Sequence, residues 1–389
     1  MINQGERERA LRVLHCPTTT GGHPQGLAQA ERRRGLQSTA VAFTQNYLGY
    51  KSDRFLYDEH ETKILQQLKC WRFLLTEVKR FDVIHYNAGT PILPWGFSAK
   101  WVNKKSSGIF FNQYCRLCAA IENKLIKAKV IAVTFQGDDA RQGDRCLKEY
   151  DLSIAHTAYG TYYTPEQDEL NRVRVQSFSR IANLIYALNP DLLRVLPSKA
   201  KFLPYAHLDP KNWECCAKAP GSKPVVVHAP SNRSAKGTQQ IIDAIARLRS
   251  EGIQCELKLV ENTSNTEAMG LYKQADLIID QLLAGWYGGF AVEAMALGKP
   301  VVCYIREEDL KFVPAQLADE LPLINAKPDS IYSVLKEWLS ARKNDLPHRG
   351  GMSREFVEKW HDPDIISRSV TNDYLNVFQS KAAETRKAA

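Results

Sequence analysis

Short apolar runs alternate with amphipathic helical stretches along this chain, and the series runs twice, with a Pro- and Gly-bearing break between. LRVLHC (11–16) is an apolar run, and the turn TTTGGHPQG follows it. LAQAERRR then reads as a helix stopped by Gly35, and STAVAF (38–43) as the next strand. Strand, helix, strand in that order implies parallel pairing through a right-handed crossover. FDVIHY (81–86), KVIAVTF (129–135), NLIYAL (183–188) and KFLPYA (201–206) continue the series. Between them, 164–181 opens on Thr-Pro-Glu and predicts a capped helix with Pro in its first turn. DPKNWECCAKAPGSKP (209–224) reads as a linker. The strands resume with PVVVHAP (224–230), QCELKLV (254–260), DLIID (276–280) and PVVCYI (300–305). GTQQIIDAIARLRSEG carries an apolar stripe at Ile241, Ile242, Ile245 and Leu248 and closes at Gly252, which predicts a helix. Further helices are predicted at 328–342 and 364–379. The pattern specifies an α/β chain of two parallel-sheet domains, whose ligands bind in the loops after the strands.

A length of 389 residues suits two domains. No apolar run is long enough to span a bilayer, and MINQGERERA lacks the apolar core of a signal peptide, so a cytoplasmic location is expected. Nine scattered cysteines agree with a reducing compartment. Cys115 and Cys118 form a C-x-x-C with too few further ligands for a metal site, and read as two thiols one turn apart on a helix. No metal is expected. The formal charge of +9 is uneven: residues 1–205 hold 29 Lys and Arg against 19 Asp and Glu, residues 206–389 hold 23 against 24. A basic first half attracts phosphate groups, on a substrate or an anionic membrane surface. Zinc-finger, helix-turn-helix and RNA-binding signatures are absent from the sequence, which argues against nucleic acid.

Two loops carry the chemistry. HAPSNRSAKGT (228–238) follows a strand and opens a helix, with Arg233 and Lys236 beside Gly237. Two cations at a helix N-terminus make an anion site, although a solvated basic loop would read the same way. AGWYGGFAVEAMALGKPVV (284–302) places Gly288 and Gly289 at a helix start, where bare backbone lets a ligand approach. Glu293 lies one turn in, on a face with Phe290 and Leu297. Sugar hydroxyls would satisfy such a carboxylate, and so would the helix dipole.

The segment 224–302 resembles the C-terminal half of the GT-B glycosyltransferases of family 4. The resemblance implies that Arg233 and Lys236 hold the diphosphate of a nucleoside-diphosphate sugar and that Glu293 binds the ribose hydroxyls. It implies that Gly288, Gly289 and Phe290 turn backbone N–H groups to the diphosphate and sugar. In the first half, TTTGGHPQG resembles the family's glycine loop, matching Gly21 and Gly22, with His23 beside them on the acceptor side. FDVIHYNAG resembles its second-strand motif, with His85 and Asn87 at the strand end, and VTFQGDDAR (133–141) its FHG-type motif.

The implied architecture is two Rossmann-like β/α/β domains facing across a cleft. They comprise an acceptor domain over 1–208, a donor domain over 222–362, and a helix over 363–389 that crosses back to the first domain. The implied activity is retaining transfer from a UDP or GDP sugar to a glycan or lipid-phosphate-linked acceptor, with no cofactor and no metal. An epimerase of the same architecture and an inactive nucleotide-binding relative are the alternatives.

Two positions depart from the family. Eight residues before Glu293, where a first carboxylate is usual, stands Gly285; the usual His before Gly-Asp is Gln136. Asp280, Asp138 and Asp139 are the candidates to replace the missing carboxylate, and adjacent carboxylates such as 138 and 139 point differently, so at most one of those two faces the site. His156, His207 and His361 lack metal-like spacing and read as satisfied structural histidines.

Overall fold

The computed structural model describes residues 10–45, 49–96, 109–263 and 265–388. The charged segment that suggested a chain without a signal peptide falls on residues 1–9 and so lies outside them. Twelve strands are described: β1 (Arg12–Cys16), β2 (Gln37–Ala42), β3 (Arg54–Phe55), β4 (Val83–Asn87), β5 (Val130–Phe135), β6 (Leu184–Ala187), β7 (Lys201–Phe202), β8 (Val225–His228), β9 (Glu256–Leu259), β10 (Leu277–Ile279), β11 (Val301–Cys303) and β12 (Ile324–Asn325). They form a seven-stranded sheet, in order 3-2-1-4-5-6-7, and a five-stranded sheet, in order 12-11-10-8-9. Every pairing is parallel. The chain thus has the GT-B architecture of two Rossmann-like domains.

The helices of the first domain are α1 (His23–Arg33), α2 (Lys63–Thr76), α3 (Ile109–Ile126), α4 (Gly143–Glu149), α5 (Ile154–Ala158) and α6 (Pro165–Ile181). Thr164 caps α6 by accepting from Gln167 N–H, with Pro165 in the first turn as its sequence predicts. The second domain carries α7 (Arg233–Lys236), α8 (Thr238–Ser250), α9 (Asn265–Gln274), α10 (Gly289–Ala296), α11 (Ala315–Asp319), α12 (Ile331–Leu339) and α13 (Leu346–Trp360). The final helix, α14 (Pro363–Ala388), lies against α1 and β5. Tyr374 bonds to His85 and Asp373 accepts from Tyr186 and Lys201, which fixes α14 on the first sheet. Cys115 and Cys118 are free, buried thiols on α3.

The helices α2, α4, α5, α9 and α11 were not predicted, nor were β3, β12 and α13. β3 and β12 are two-residue edge pairings with no periodicity to read. α13 contains Pro347, Gly350 and Gly351, which mask its helical pattern; a Cβ on Gly350 would fall 2.1 Å from Gly298 O, so glycine there lets the helix close on the turn after α10. The predicted strand 201–206 shrinks to two residues because Pro204 has no N–H to give.

The loop after β4 is held by one buried carboxylate. Glu122 of α3 accepts from Ile92 N–H, Leu93 N–H, Trp95 Nε1–H and Tyr86 O–H. Burial pushes its carboxyl up to about 7, even against those four donors. A folded-state pKa above the unfolded one means the native state binds the proton more tightly. The stability advantage of the wild type over Glu122→Gln is therefore expected to be greatest below about pH 4.5 and to fall as pH rises through about 7. Urea unfolding of both proteins from pH 4 to 8 measures that difference; a constant difference would mean that Glu122 does not titrate there.

Candidate functional site

In doubly wound sheets a crevice opens where neighbouring strands send their connections to opposite faces. The first sheet has that switch between β1 and β4, the second between β8 and β10. A cleft of about 540 Å³ lies there, lined by Thr20 after β1, Ala88 and Thr90 after β4, Ser231 and Lys236 after β8, and Trp286 and Gly288 after β10. The loops after β5 and β6 add Gln136, Asp138, Arg141 and Asn189.

On the second-domain wall, Asn232 caps the short helix α7, and Lys236 at its end reaches into the cleft. Lys236 Nζ sits 2.8 Å from Asp280 Oδ1, and Gly288 N–H donates to Asp280 Oδ2 at 2.9 Å. Asp280 is fully buried, so its ion pair fixes the lysine against the start of α10. Both of its oxygens are engaged within the protein, one by Lys236 and one by Gly288 N–H. Arg233 points elsewhere. It pairs with Glu261, Nε to Oε1 at 2.8 Å, is 57% exposed and does not line the cleft. Gly289 and Phe290 begin α10, and as its first two residues their N–H groups have no intrahelical acceptor, whereas Ala291 N–H already donates to Gly288 O. The Phe290 ring packs on Tyr272 with centroids 4.9 Å apart. Glu293 Oε1 stands 3.6 Å from His207 Nε2.

On the first-domain wall the two aspartates divide as adjacent carboxylates should. Asp139 accepts from Gln136 N–H and Gly137 N–H and caps its own turn. Asp138 is 46% exposed and accepts from Arg141, Tyr162 O–H and Tyr163 O–H. Burial pushes its carboxyl up, but Arg141 and the two phenols outweigh it, and the group stays below its usual range. Gly21 and Gly22 form a left-handed turn after β1, at φ 59° and 69°. A Cβ on Gly21 would lie 3.4 Å from Gln136 Oε1, so the glycine turn and the 136–141 loop face each other.

The structure moves three expected acceptor contacts away from the cleft. His85 is buried, with Nδ1 on Tyr374 and Nε2 on Thr134 at 2.6 Å. Its side chain projects under α14, so it anchors that helix. Asn87 is buried and donates to His85 O. His23 is buried at the start of α1, where its Nδ1 accepts from Ala206 N–H. Burial, and then the neighbouring His15, lower its pKa to about 3, so it stays neutral.

The position of the absent carboxylate is occupied. Gly285 has φ 83°, and a Cβ there would fall 2.5 Å from Arg306 Nη1. Arg306 is buried, pairs with Asp309 at 3.1 Å, donates to Leu152 O and lies over the Tyr150 ring, 3.5 Å from its centroid.

Sequence reasoning missed Arg141, Tyr162, Asn189 and Tyr205 of the cleft lining. Arg141 closes the quoted VTFQGDDAR segment and could have been taken from it, while the others have no local motif. His156 and His361 are satisfied by Ser153, and by Tyr287 and Tyr205 O. His207 is not: neither ring nitrogen has a hydrogen-bond partner among the described residues.

The GT-B architecture also emerges from comparison with solved structures. Sucrose-phosphate synthase from Thermosynechococcus elongatus superposes with a TM-score of 0.54 at 15% identity, covering 96% of this chain and 100% of that one. HepE from Anabaena, in complex with UDP and glucose, gives 0.57 at 13% identity over 93% and 98% of the two chains. The catalytic domain of starch synthase IV from Arabidopsis thaliana, bound to ADP and acarbose, gives 0.55 at 12% identity over 95% and 100%. No protein-family model matches the sequence. No curated protein matches it either.

Proposed function

We propose that this protein is a retaining glycosyltransferase of family 4 that transfers a sugar from a UDP or GDP sugar to a glycan or lipid-phosphate-linked acceptor, in polysaccharide synthesis. One observation carries the reading: Lys236 is fixed by buried Asp280 beside the open N-terminus of α10, at the switch point of the second sheet. A cation and a helix N-terminus converging on one point suit a leaving diphosphate. They supply the counter-charge that a divalent metal supplies elsewhere, so the transfer proceeds without one. Arg233 joins them by leaving Glu261, since an exposed pair of this kind costs little to break. The complexes of HepE with UDP and with UDP-glucose support a nucleotide sugar as donor.

The acceptor enters against the first domain, where ionised Asp138 faces the cleft beside the half-exposed Tyr162 ring. Among the described residues, no helix is long and apolar enough to cross a membrane. In this reading a lipid-linked acceptor is met at the cytoplasmic surface of a membrane. Docking there is supported by the basic excess of residues 1–205 and by exposed Ile64 and Leu68 on α2.

Purified protein incubated with a panel of sugar nucleotides, with and without membrane extract, is expected to release nucleoside diphosphate only when extract is present. Conversion of the donor sugar without acceptor would establish an epimerase. Tight nucleotide binding with no turnover in any mixture would establish a binding protein.

Glu293 has the ribose role in this reading. Glu293→Gln keeps the side-chain shape but exchanges one acceptor oxygen for a donor. Calorimetry is expected to show weaker binding of the ribonucleoside diphosphate, by about tenfold, and little change for its 2′-deoxy form. Equal affinity of the wild type for both forms would remove Glu293 from the ribose.

A further inference from the structure

Among the described histidines with buried side chains, His207 is the one with no hydrogen-bond partner at either ring nitrogen. It ends the short run after β7, between the two sheets. Its side chain is 2% exposed, and both ring nitrogens lack a hydrogen-bond partner among the described residues. A buried polar group in that state is unfavourable, and native structures rarely retain one without a use for it. Of its neighbours, His361 is held at both nitrogens by Tyr205 O and Tyr287 O–H, and His23 at Nδ1 by Ala206 N–H, its Nε2 having no hydrogen-bond partner among the described residues.

Its placement indicates the use. On one side lies the turn after β1, where a Cβ on Gly22 would meet His207 Cβ at 3.4 Å. On the other lies the start of α10, where a Cβ on Gly289 would stand 3.5 Å from Nε2. Gly289 leaves the imidazole edge bordered by bare backbone on its side, whereas Gly22 stands by His207 Cβ and the Tyr50 ring, which a Cβ there would meet at 3.0 Å. Glu293 Oε1, at 3.6 Å from Nε2, is too far for a hydrogen bond. Nε2 is thus directed at the helix N-terminus that suits a diphosphate, beside the carboxylate that suits a ribose.

The geometry points to His207 as a further nucleotide contact, donating a hydrogen bond from its ring to a phosphate oxygen of the bound nucleoside diphosphate. This rests on the nucleotide-sugar reading above. Phosphate fits better than ribose because its oxygens only accept, while the ring must find an acceptor for its N–H; ribose hydroxyls are already matched to Glu293. The residue then works from the segment joining the domains.

The test separates a phosphate contact from a structural histidine. UDP, GDP and ADP, and the matching nucleosides, are titrated by calorimetry into wild type, His207→Leu and His207→Gln, with thermal unfolding of each. The leucine variant is expected to bind the preferred diphosphate about 10- to 100-fold more weakly. Its nucleoside affinity and unfolding midpoint are expected to hold or rise, because an unsatisfied polar group has been removed. Glutamine, which keeps an N–H donor, is expected to retain most of the diphosphate affinity. Unchanged diphosphate affinity in the leucine variant overturns the proposal. Equal losses for diphosphate and nucleoside with a lowered midpoint also overturn it, in favour of a structural part. His207→Met serves the same comparison if the leucine variant does not fold. A wild type that binds no nucleoside diphosphate overturns the nucleotide-sugar reading itself, which a failure confined to the variants does not.

Discussion

Lys236→Ala is expected to weaken nucleoside-diphosphate binding by about 10- to 100-fold and to lower the thermal unfolding midpoint in the same protein. The two effects have different origins. The binding loss is that of a charged hydrogen bond to phosphate. The stability loss arises beneath it, where Asp280 is fully buried and keeps Gly288 N–H and a long contact from Cys303 Sγ once the ammonium is gone. Breaking a buried pair from one side costs about 3–5 kcal/mol, because a charge is left unmatched. Pairing Lys236→Met with Asp280→Asn removes both charges and keeps an acceptor for Gly288 N–H. That double variant is expected to recover the midpoint and leave binding weak. Undiminished binding in Lys236→Ala would take the lysine out of the diphosphate site; an unchanged midpoint would show that Asp280 does not need it.

Gly285→Glu puts back the carboxylate usual in the resembled family, and is expected to damage the fold without raising turnover. The backbone there is left-handed, at φ 83°, which costs a glutamate about 1–3 kcal/mol. Its Cβ would also fall within 2.5–2.8 Å of three guanidinium atoms of Arg306. Arg306 could make room only by leaving Asp309, Leu152 O and the Tyr150 ring, which strands buried Asp309 on its remaining partners. A loss of several kcal/mol follows, read as a large drop in the denaturation midpoint. A variant that folds as well as wild type and turns over faster would show that Arg306 yields readily and that Gly285 is only a lost contact.

Both cases mark where the sequence stops being legible. Strands buried on both faces read as continuous apolar runs, so β1, β2, β4, β5, β6, β8, β10 and β11 lie within or beside the predicted runs. Lys236 and Gly288 were visible for the same reason: loops after such strands meet ligands, whatever their detail. What a residue at a strand end faces is set by chain far away. Asp280 was expected at a sugar, and the structure places it under Lys236 and Gly288 N–H, contacts that no local pattern announces. Histidine at position 85 has the right register for the strand end, yet its ring faces a helix nearly 300 residues later in the chain. The occupant of the Gly285 site comes from position 306 without any local pattern linking the two. His207 was read as satisfied because sequence spacing carries no information on partners; only the geometry shows that it has none among the described residues.

The return of α14 to the first sheet has a mechanical meaning. The chain passes between the domains twice, once through the segment from β7 to β8 and again between Trp360 and Pro363. The two passages are joined side by side, since His361 Nδ1 is bonded to Tyr205 O at 2.9 Å. A body tethered by one flexible strand can tumble about three axes; one tethered by two adjacent strands keeps chiefly the rotation about the line through both. Any opening of the cleft is thereby confined chiefly to rotation about that line.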